Sequence, residues 1–277
     1  MSGTLYLVPT PIGNLGDLSD RIRETLAEAD FIAAEDTRVS LKLLNHLGLK
    51  KPMVSYYRHN TETAGPQILQ RILSGEDCAL VTDAGTPAIS DPGEELVALC
   101  AEAGVPVVGI PGPCALVTAL AVSGLPTGRF TFEGFLATNK KNRRAHLDAL
   151  RAERRTMVFY EAPHKLTGTL TDLEEAFGGD RRIALCRELT KLHEEVLRTT
   201  IGAAAEHYRA NAPRGEFVLV VEGAPEREEV PALTLEEAVA RVRSLYEGGR
   251  SMKDAARQVA AETGFQKKEL YRLAVQE

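Results

Sequence analysis

The chain lacks the features that would tie it to a metal, a disulfide framework or a membrane. Its four cysteines, Cys78, Cys100, Cys114 and Cys186, show no CxxC or paired spacing. Most sit in apolar surroundings, where cysteine acts as a small hydrophobe, so a reducing cytoplasm is expected. His46, His59, His146, His164, His193 and His207 form no HxxxH or His/Cys ligand spacing, and no metal is expected. The opening residues MSGTLYLVPTP carry no basic segment before a long apolar core, so no signal peptide is expected. The long uncharged stretch between Ala103 and Gly128 is broken by Pro106, Pro111, Gly112 and Pro113 and reads as a buried strand and helix, not a span. No Walker A motif is present. Pro11 to Gly16 (PIGNLG) has no GxGxxG, so Glu35-Asp36 after the second apolar run lacks the fingerprint of a dinucleotide site. Positive charge is also in deficit, with a formal net charge of −6. That excludes a uniformly basic nucleic-acid coat while leaving room for local basic patches.

What is present is an ordinary globular composition, 44% hydrophobic and 26% charged, in a chain of 277 residues, long enough for two compact domains and a small third unit. Short β-type runs at Thr4 to Val8, Phe31 to Ala34, Met53 to Tyr56, Cys78 to Thr82 and Val105 to Ile110 alternate with helical patterns at Leu18 to Ala29, Ser40 to Leu47, Thr63 to Leu73, Glu94 to Ala103 and Leu116 to Val122. This alternation predicts an α/β domain with a mostly parallel sheet over residues 1–124. After GLPTGRF a second series, Phe130 to Phe135, Met157 to Tyr160, Ile183 to Arg187, Glu195 to Thr200 and Phe217 to Val221, has helices near Arg143 to Leu150, Lys165 to Phe177 and Ala203 to Asn211. Its later strands lack a helix between every pair, which predicts a mixed sheet over 125–224. Gly223 to Pro231 reads as a linker. Residues 232–277 are wholly helical in pattern, with helices at Leu235 to Tyr246, Met252 to Ala261 and Lys267 to Val275. Gly264 stands where a helix-turn-helix needs its sharp turn, so this unit either contacts nucleic acid or docks on the body.

Two loops stand out. CALVTDAGTPAISDPG, Cys78 to Gly93, runs from a strand into a turn offering Asp83, Gly85, Thr86, Ser90 and Asp91, stiffened by Pro87 and Pro92. VPVVGIPGPCA, Val105 to Ala115, ends in small residues, of which Gly112, Cys114 and Ala115 leave room for a ligand against the backbone. Both lie where an open α/β sheet binds ligands, beyond the carboxyl ends of its strands. In the second series, Tyr160-Glu161-Ala162-Pro163-His164 ends a strand and opens a helix, which suits either a cleft rim or simple capping. Arg187 to Glu195 packs many ionisable groups between two strands, either a solvated face or a functional loop. Asn139 to Arg155 carries Lys140, Lys141, Arg143, Arg144, Arg151, Arg154 and Arg155 against Asp148 and Glu153, a local basic excess suited to phosphate contact or to solubility alone.

In order along the chain, LVPTPIGNLGDLS (7–19), AAEDTR (33–38), VTDAGTPAISDPG (81–93), PGPCA (111–115), FYEAPHK (159–165), RELTKLHEE (187–195) and GEFVLVVEG (215–223) resemble the ribosomal RNA small subunit methyltransferase I family, within the tetrapyrrole (corrin/porphyrin) methylase superfamily. Cys114 departs from a common serine and Lys165 from an expected arginine; both keep size or charge class. The resemblance implies two α/β domains with S-adenosylmethionine in the cleft between them, and a helix-turn-helix-like tail. It further implies 2′-O-methylation of a cytidine ribose in the decoding region of 16S rRNA, with the small ribosomal subunit as partner, and a homodimer. Asp83, Ala84, Gly85, Thr86, Pro87, Pro111, Gly112, Cys114 and Ala115, with Tyr160, Glu161 and Phe217, would surround the cofactor. Glu161, His164, Lys191 and Glu194 are unranked candidates for a general base. Lys140, Lys141, Arg143 and Arg144, and in the tail Lys253, Arg257, Lys267, Lys268 and Arg272, would meet RNA. Two other readings stay open. A corrin or porphyrin precursor methylase would need neither the basic segment nor the tail, and a ligand-sensing regulator with a DNA-binding tail leaves the second domain's loops unexplained.

Overall fold

A computed structural model describes residues 1–225 and 233–276, so most of the expected linker, from 226 to 231, lies outside the described residues. The chain forms two compact units, Met1–Ala224 and Pro225–Glu277.

The larger unit contains two five-stranded sheets. The first is built from β1 (Leu5–Leu7), β2 (Phe31–Ala34), β3 (Met53–Ser55), β4 (Cys78–Val81) and β5 (Val107–Gly109), in the order β3-β2-β4-β1-β5. Every pairing in it is parallel. Helices α1 (Asp20–Glu28), α2 (Thr37–His46), α3 (Thr61–Leu73) and α4 (Glu94–Glu102) connect the strands, and α5 (Ala115–Val122) follows β5. β2 and β4 are buried at every residue, as strands covered on both faces must be. One apolar cluster around Leu5, Phe31, Tyr56, Ile72 and Leu96 and another around Val8, Ile22, Ile32 and Ile110 hold helices to this sheet.

The second sheet runs β6 (Phe130–Phe135), β7 (Thr156–Glu161), β10 (Phe217–Val221), β8 (Arg182–Arg187) and β9 (Glu195–Thr200) across its width. Only β6 and β7 pair in parallel; the remaining pairings are antiparallel. α6 (Lys140–Ala149), α7 (Pro163–Phe177) and α8 (Ile201–Ala210) complete it, and its core joins Met157, Phe159, Leu166, Leu170, Leu219 and Tyr208.

The sequence starts several helices too late because apolar periodicity misses the capping turn. α2 begins at Thr37, where the Asp36 carboxylate accepts the Arg38 N–H; α6 begins at Lys140 beneath the Asn139 side chain; and α8 begins at Ile201, capped by Thr200. The 3-10 turn Leu15–Asp17 was not anticipated.

In the smaller unit, α9 (Leu235–Glu247), α10 (Met252–Thr263) and α11 (Lys267–Val275) enclose Ala238, Val242, Ala255, Val259, Leu270 and Ala274. Thr234 and Glu237 close a reciprocal capping box at the start of α9. Gly264 ends α10 at φ 79°, the left-handed conformation that lets the chain turn sharply into α11.

Candidate functional site

The two sheets of the larger unit face a cavity of about 470 Å³, within the usual range for a small-molecule site. The first sheet supplies loops. In the parallel β2–β4 pairing Ala34 lies opposite Val81, so the next residues out of the sheet, Glu35 and Thr82, meet. The Thr82 hydroxyl donates to Glu35 Oε2 at 2.6 Å, the Asp83 N–H reaches the same oxygen at 3.4 Å, and the Asp36 N–H donates to Asp83 Oδ1 at 3.2 Å. Gly85 exchanges two backbone hydrogen bonds with Thr10 beyond β1 and sits at φ 90°, a conformation that disfavours any side chain. Ala88 and Ser90 also hold positive φ, at 66° and 69°. Such strain in non-glycine residues persists only where surrounding structure enforces it. Here the Thr86 hydroxyl donates to the Pro113 carbonyl, tying the loop after β4 to the loop after β5.

The second sheet supplies side chains. Phe217, at the start of β10, pairs with Glu161 at the end of β7 on one side and with Arg187 at the end of β8 on the other. Tyr160, Glu161, Phe217, Val218, Cys186 and Leu189 therefore meet on one wall. The Tyr160 hydroxyl accepts the Leu116 N–H at 3.1 Å, across to the start of α5, and its ring meets Phe132 and Phe135 edge-on at 5.0 and 5.6 Å. Burial, with Cys114 and Asp91 nearby, pushes this phenol up to about 12, so it stays protonated.

Among the described residues lining the cavity are the carboxylates Glu35, Asp83, Asp91, Glu161 and Glu216, and no Lys, Arg or His. Burial, and next the charge of Glu35, raises both Asp83 and Asp91, the latter to about 6. A site of this kind favours a ligand that brings positive charge.

Of the residues expected around a cofactor, Asp83, Ala84, Gly85, Thr86, Cys114, Ala115, Tyr160, Glu161 and Phe217 line the cavity. Pro87, Pro111 and Gly112 do not. A side chain does not fit at Gly112, where a Cβ would come within 2.8 Å of Pro9 and 3.1 Å of Ile22. Among the four candidates for a base, only Glu161 lines the cavity. His164 is exposed on the first turn of α7. Lys191 is held at 2.9 Å by both Glu188 and Glu216, and Glu194 accepts the Thr190 N–H at 2.6 Å. These groups brace a turn in which Glu188 and Thr190 adopt positive φ. The turn presses on Gly13, where a Cβ would lie 2.4 Å from the Lys191 side chain.

On α6, Lys140, Lys141 and Arg144 face solvent. Arg143 does not belong with them: its side chain is 11% exposed, paired with Asp172 and donating to Thr169 at 2.8 Å. In the tail Lys253, Arg257, Lys268 and Arg272 are exposed, Arg257 pairs with Asp254, and Lys267 is half-buried. The sequence reading overlooked Ile12, Glu35, Thr82, Phe135, Cys186, Leu189 and Glu216 as parts of the cavity wall. The signals for Glu35 are the AAEDTR segment and the place of Glu35-Asp36 directly after the second strand.

Comparison with known proteins agrees with this geometry. Residues 4–205 match the family described as Tetrapyrrole (Corrin/Porphyrin) Methylases. A Synechocystis sp. protein named Ribosomal RNA small subunit methyltransferase I is 47% identical over 99% of this chain and 98% of its own length. The Escherichia coli O157:H7 protein of the same name is 42% identical over 99% and 96%. Among solved structures, uroporphyrin-III C-methyltransferase from Thermus thermophilus, complexed with S-adenyl homocysteine, shares the fold at a TM-score of 0.54 and 18% identity, over 79% of this chain and 97% of that one. With its two facing sheets, loop-built cleft and full-length relatives, the chain belongs to the tetrapyrrole methylases and, within them, to the ribosomal RNA small subunit methyltransferase I family.

Proposed function

We propose that the chain moves the methyl group of S-adenosylmethionine to the 2′-oxygen of a cytidine ribose in the decoding region of 16S rRNA, within the small ribosomal subunit. The observation that carries the reading is the cavity lining, in which the described residues include five carboxylates, only Glu216 of them paired with a cation, Lys191, and no lining Lys, Arg or His. That lining fits a sulfonium cofactor and opposes a polycarboxylate tetrapyrrole precursor, which would have to enter the cavity bodily. RNA needs to insert one ribose only, while its phosphates meet the exposed Lys140, Lys141 and Arg144 on α6 and the basic residues of the tail.

When bound, S-adenosylmethionine supplies an electrophilic methyl on sulfur. The residues around it have a positioning task, and alignment of two bound reactants can contribute about 7–11 kcal/mol in favourable cases. The Asp83–Thr86 loop, Cys114 and Ala115 would hold the cofactor from one side, and Tyr160 and Phe217 would hold it from the other. Glu161 would receive the proton lost by the 2′-hydroxyl as the new carbon–oxygen bond forms and the methyl–sulfur bond breaks, the electron pair staying on sulfur in the S-adenosylhomocysteine that leaves. Its Oε1 accepts the Ala162 N–H at 2.8 Å and its Oε2 accepts the Thr169 hydroxyl, which leaves lone pairs for the substrate. A positioned base is worth roughly 10²- to 10⁴-fold.

We divide the methylase body at residues 124 and 125, assign a homodimer, and place the enzyme in the cytoplasm with the ribosome. Transfer of labelled methyl to small subunits, free rRNA, a porphyrin precursor and DNA tests the substrate, followed by mapping of the modified ribose. Methylation of the porphyrin precursor alone overturns the reading. Glu161→Gln is expected to lower kcat at least about a hundredfold while cofactor affinity holds. Loss of cofactor affinity instead would make Glu161 a binding group. Light scattering at working concentration checks the dimer.

A further inference from the structure

Glu161 is a buried carboxylate, 4% exposed; Ala162, which donates to one of its oxygens, lines the cavity, whereas Thr169 and Arg143 do not. Thr169 stands two turns into α7, fully buried, and its hydroxyl donates to Glu161 Oε2. The same hydroxyl oxygen accepts from Arg143 Nη2 at 2.8 Å. Arg143 comes from α6, and its guanidinium is paired with Asp172, one turn beyond Thr169 on α7. A guanidinium only donates and a carboxylate only accepts, so the hydroxyl between them has its direction fixed: it accepts from Arg143 and donates to Glu161. The Lys165 carbonyl, 3.2 Å from the Thr169 oxygen, is a longer and competing acceptor.

We propose that Thr169 and Arg143 are positioning residues for Glu161, and that the series Asp172–Arg143–Thr169–Glu161 joins the basic helix α6 to the reacting end of the cleft. This rests on the reading of Glu161 given above. Three features set the series apart from a simple staple between two helices. Each Glu161 oxygen is fixed by one donor, the Ala162 N–H or the Thr169 hydroxyl, so the carboxylate plane cannot rotate without breaking a buried hydrogen bond. The cation of Arg143 stands one hydroxyl away from the carboxylate, where low-dielectric surroundings strengthen the arrangement. And α6 exposes Lys140, Lys141 and Arg144, the last reaching Glu175 of α7 at 3.5 Å, while it buries Arg143. RNA phosphates held by the outer cations are thereby placed in register with Glu161 through one rigid helix.

The test uses the full-length enzyme and small ribosomal subunits. Thr169→Val keeps the side-chain shape and removes the hydroxyl. It is expected to lower kcat roughly tenfold to a hundredfold, the scale of a small misplacement of a reacting group, with KM for subunits and cofactor affinity within about twofold of wild type. Thr169→Ser is expected to restore kcat, and Arg143→Met to lower it in the same direction. Glu161→Gln serves as the reference. The double variant Glu161→Gln/Thr169→Val is expected to be no slower than Glu161→Gln by more than about twofold, because both changes remove one function. Melting temperatures identify any variant that fails to fold, and Arg143→Met then decides. If Glu161→Gln is impaired while Thr169→Val or Arg143→Met turns over like wild type, or if the two losses multiply in the double variant, the positioning role is wrong and the reading of Glu161 stands. If Glu161→Gln itself turns over like wild type, the reading of Glu161 fails and the positioning role falls with it.

Discussion

In the first sheet, β1, β2, β4 and β5 run parallel and all end at the cleft, so what they deliver there is loops: Ile12, Glu35, Thr82 to Thr86, Ile89 to Asp91, Cys114 and Ala115. In the second, β10 begins at the cleft between two strands that end there, so what it delivers is side chains set by antiparallel register. The loops bring strained backbone and three carboxylates, Glu35, Asp83 and Asp91; the strands bring an aromatic wall and Glu161. A cofactor that must be held in one pose suits the rigid loops, and a substrate group that must be aligned suits side chains fixed by a sheet. The difference teaches where substitutions act: changes in the first half should alter cofactor binding, and changes in the second, Tyr160 and Phe217 apart, should alter turnover or substrate engagement.

The severest test of that division is Gly85→Trp. The indole would stand on the cavity floor at φ 90°, beside Ile12 and Pro113. Overpacking costs about 1–3 kcal/mol, and backbone strain adds to it. Cofactor affinity, measured by titration calorimetry, should fall by at least about a hundredfold while circular dichroism stays close to wild type. Unchanged affinity would remove the loops of the first sheet from the cofactor site.

How much of this could be read from the sequence follows the same division. The β4 loop announces itself because Gly, Pro and Asp cluster directly after an apolar run, and the parallel sheet follows from strand–helix alternation. Phe31–Ala34, Phe130–Phe135, Glu195–Thr200 and Phe217–Val221 were legible to the residue. Of the second wall only Tyr160, Glu161 and Phe217 were, through the family resemblance. Cys186, Leu189 and Glu216 reach the cavity only because β8 and β10 pair antiparallel, and no local pattern reports a register between segments some thirty residues apart. Arg143 misled for a related reason: in the sequence it is one cation among several, and only the packing of α6 on α7 turns it toward Asp172 and Thr169. Thr169 carried no signal, since each of the three threonines of α7, Thr167, Thr169 and Thr171, looks the same in sequence whether it faces a carboxylate or a leucine.

A smaller effect separates the inward and outward faces of α6. Changing Lys140, Lys141 and Arg144 together to glutamine should weaken RNA binding about tenfold near physiological salt. It should also flatten the dependence of log K on log salt by roughly two to three, in proportion to the phosphate contacts removed. Cofactor affinity should not change. Arg143→Met should leave the salt slope alone and act on turnover, so filter binding across a salt series distinguishes the two faces. A salt slope that Arg143→Met flattens as much as the triple change would return Arg143 to the RNA-facing set.

The smallest effect probes the carboxylates of the first half. Asp91 faces Glu35 and Asp83, with Thr82 and Arg58 opposing them, and burial followed by those negative neighbours raises it to about 6. A carboxyl whose value is higher in the folded than in the unfolded chain binds its proton more tightly when folded, so its contribution to stability is complete below about pH 4 and is lost as pH rises through about 6. Without cofactor, the melting temperature should therefore carry a downward component across that window, and Asp91→Asn should remove it and melt a few degrees higher at pH 7. Cofactor affinity should run the other way. Ionised Asp91 favours a sulfonium or an ammonium, so wild-type affinity should strengthen between pH 5 and pH 7, and Asp91→Asn should bind several-fold more weakly at pH 7 with little pH dependence. Calorimetric titrations at pH 5, 6 and 7 read both trends. If wild type and Asp91→Asn share one pH slope, the charge of the loop half plays no part in holding the cofactor, and its contribution reduces to shape.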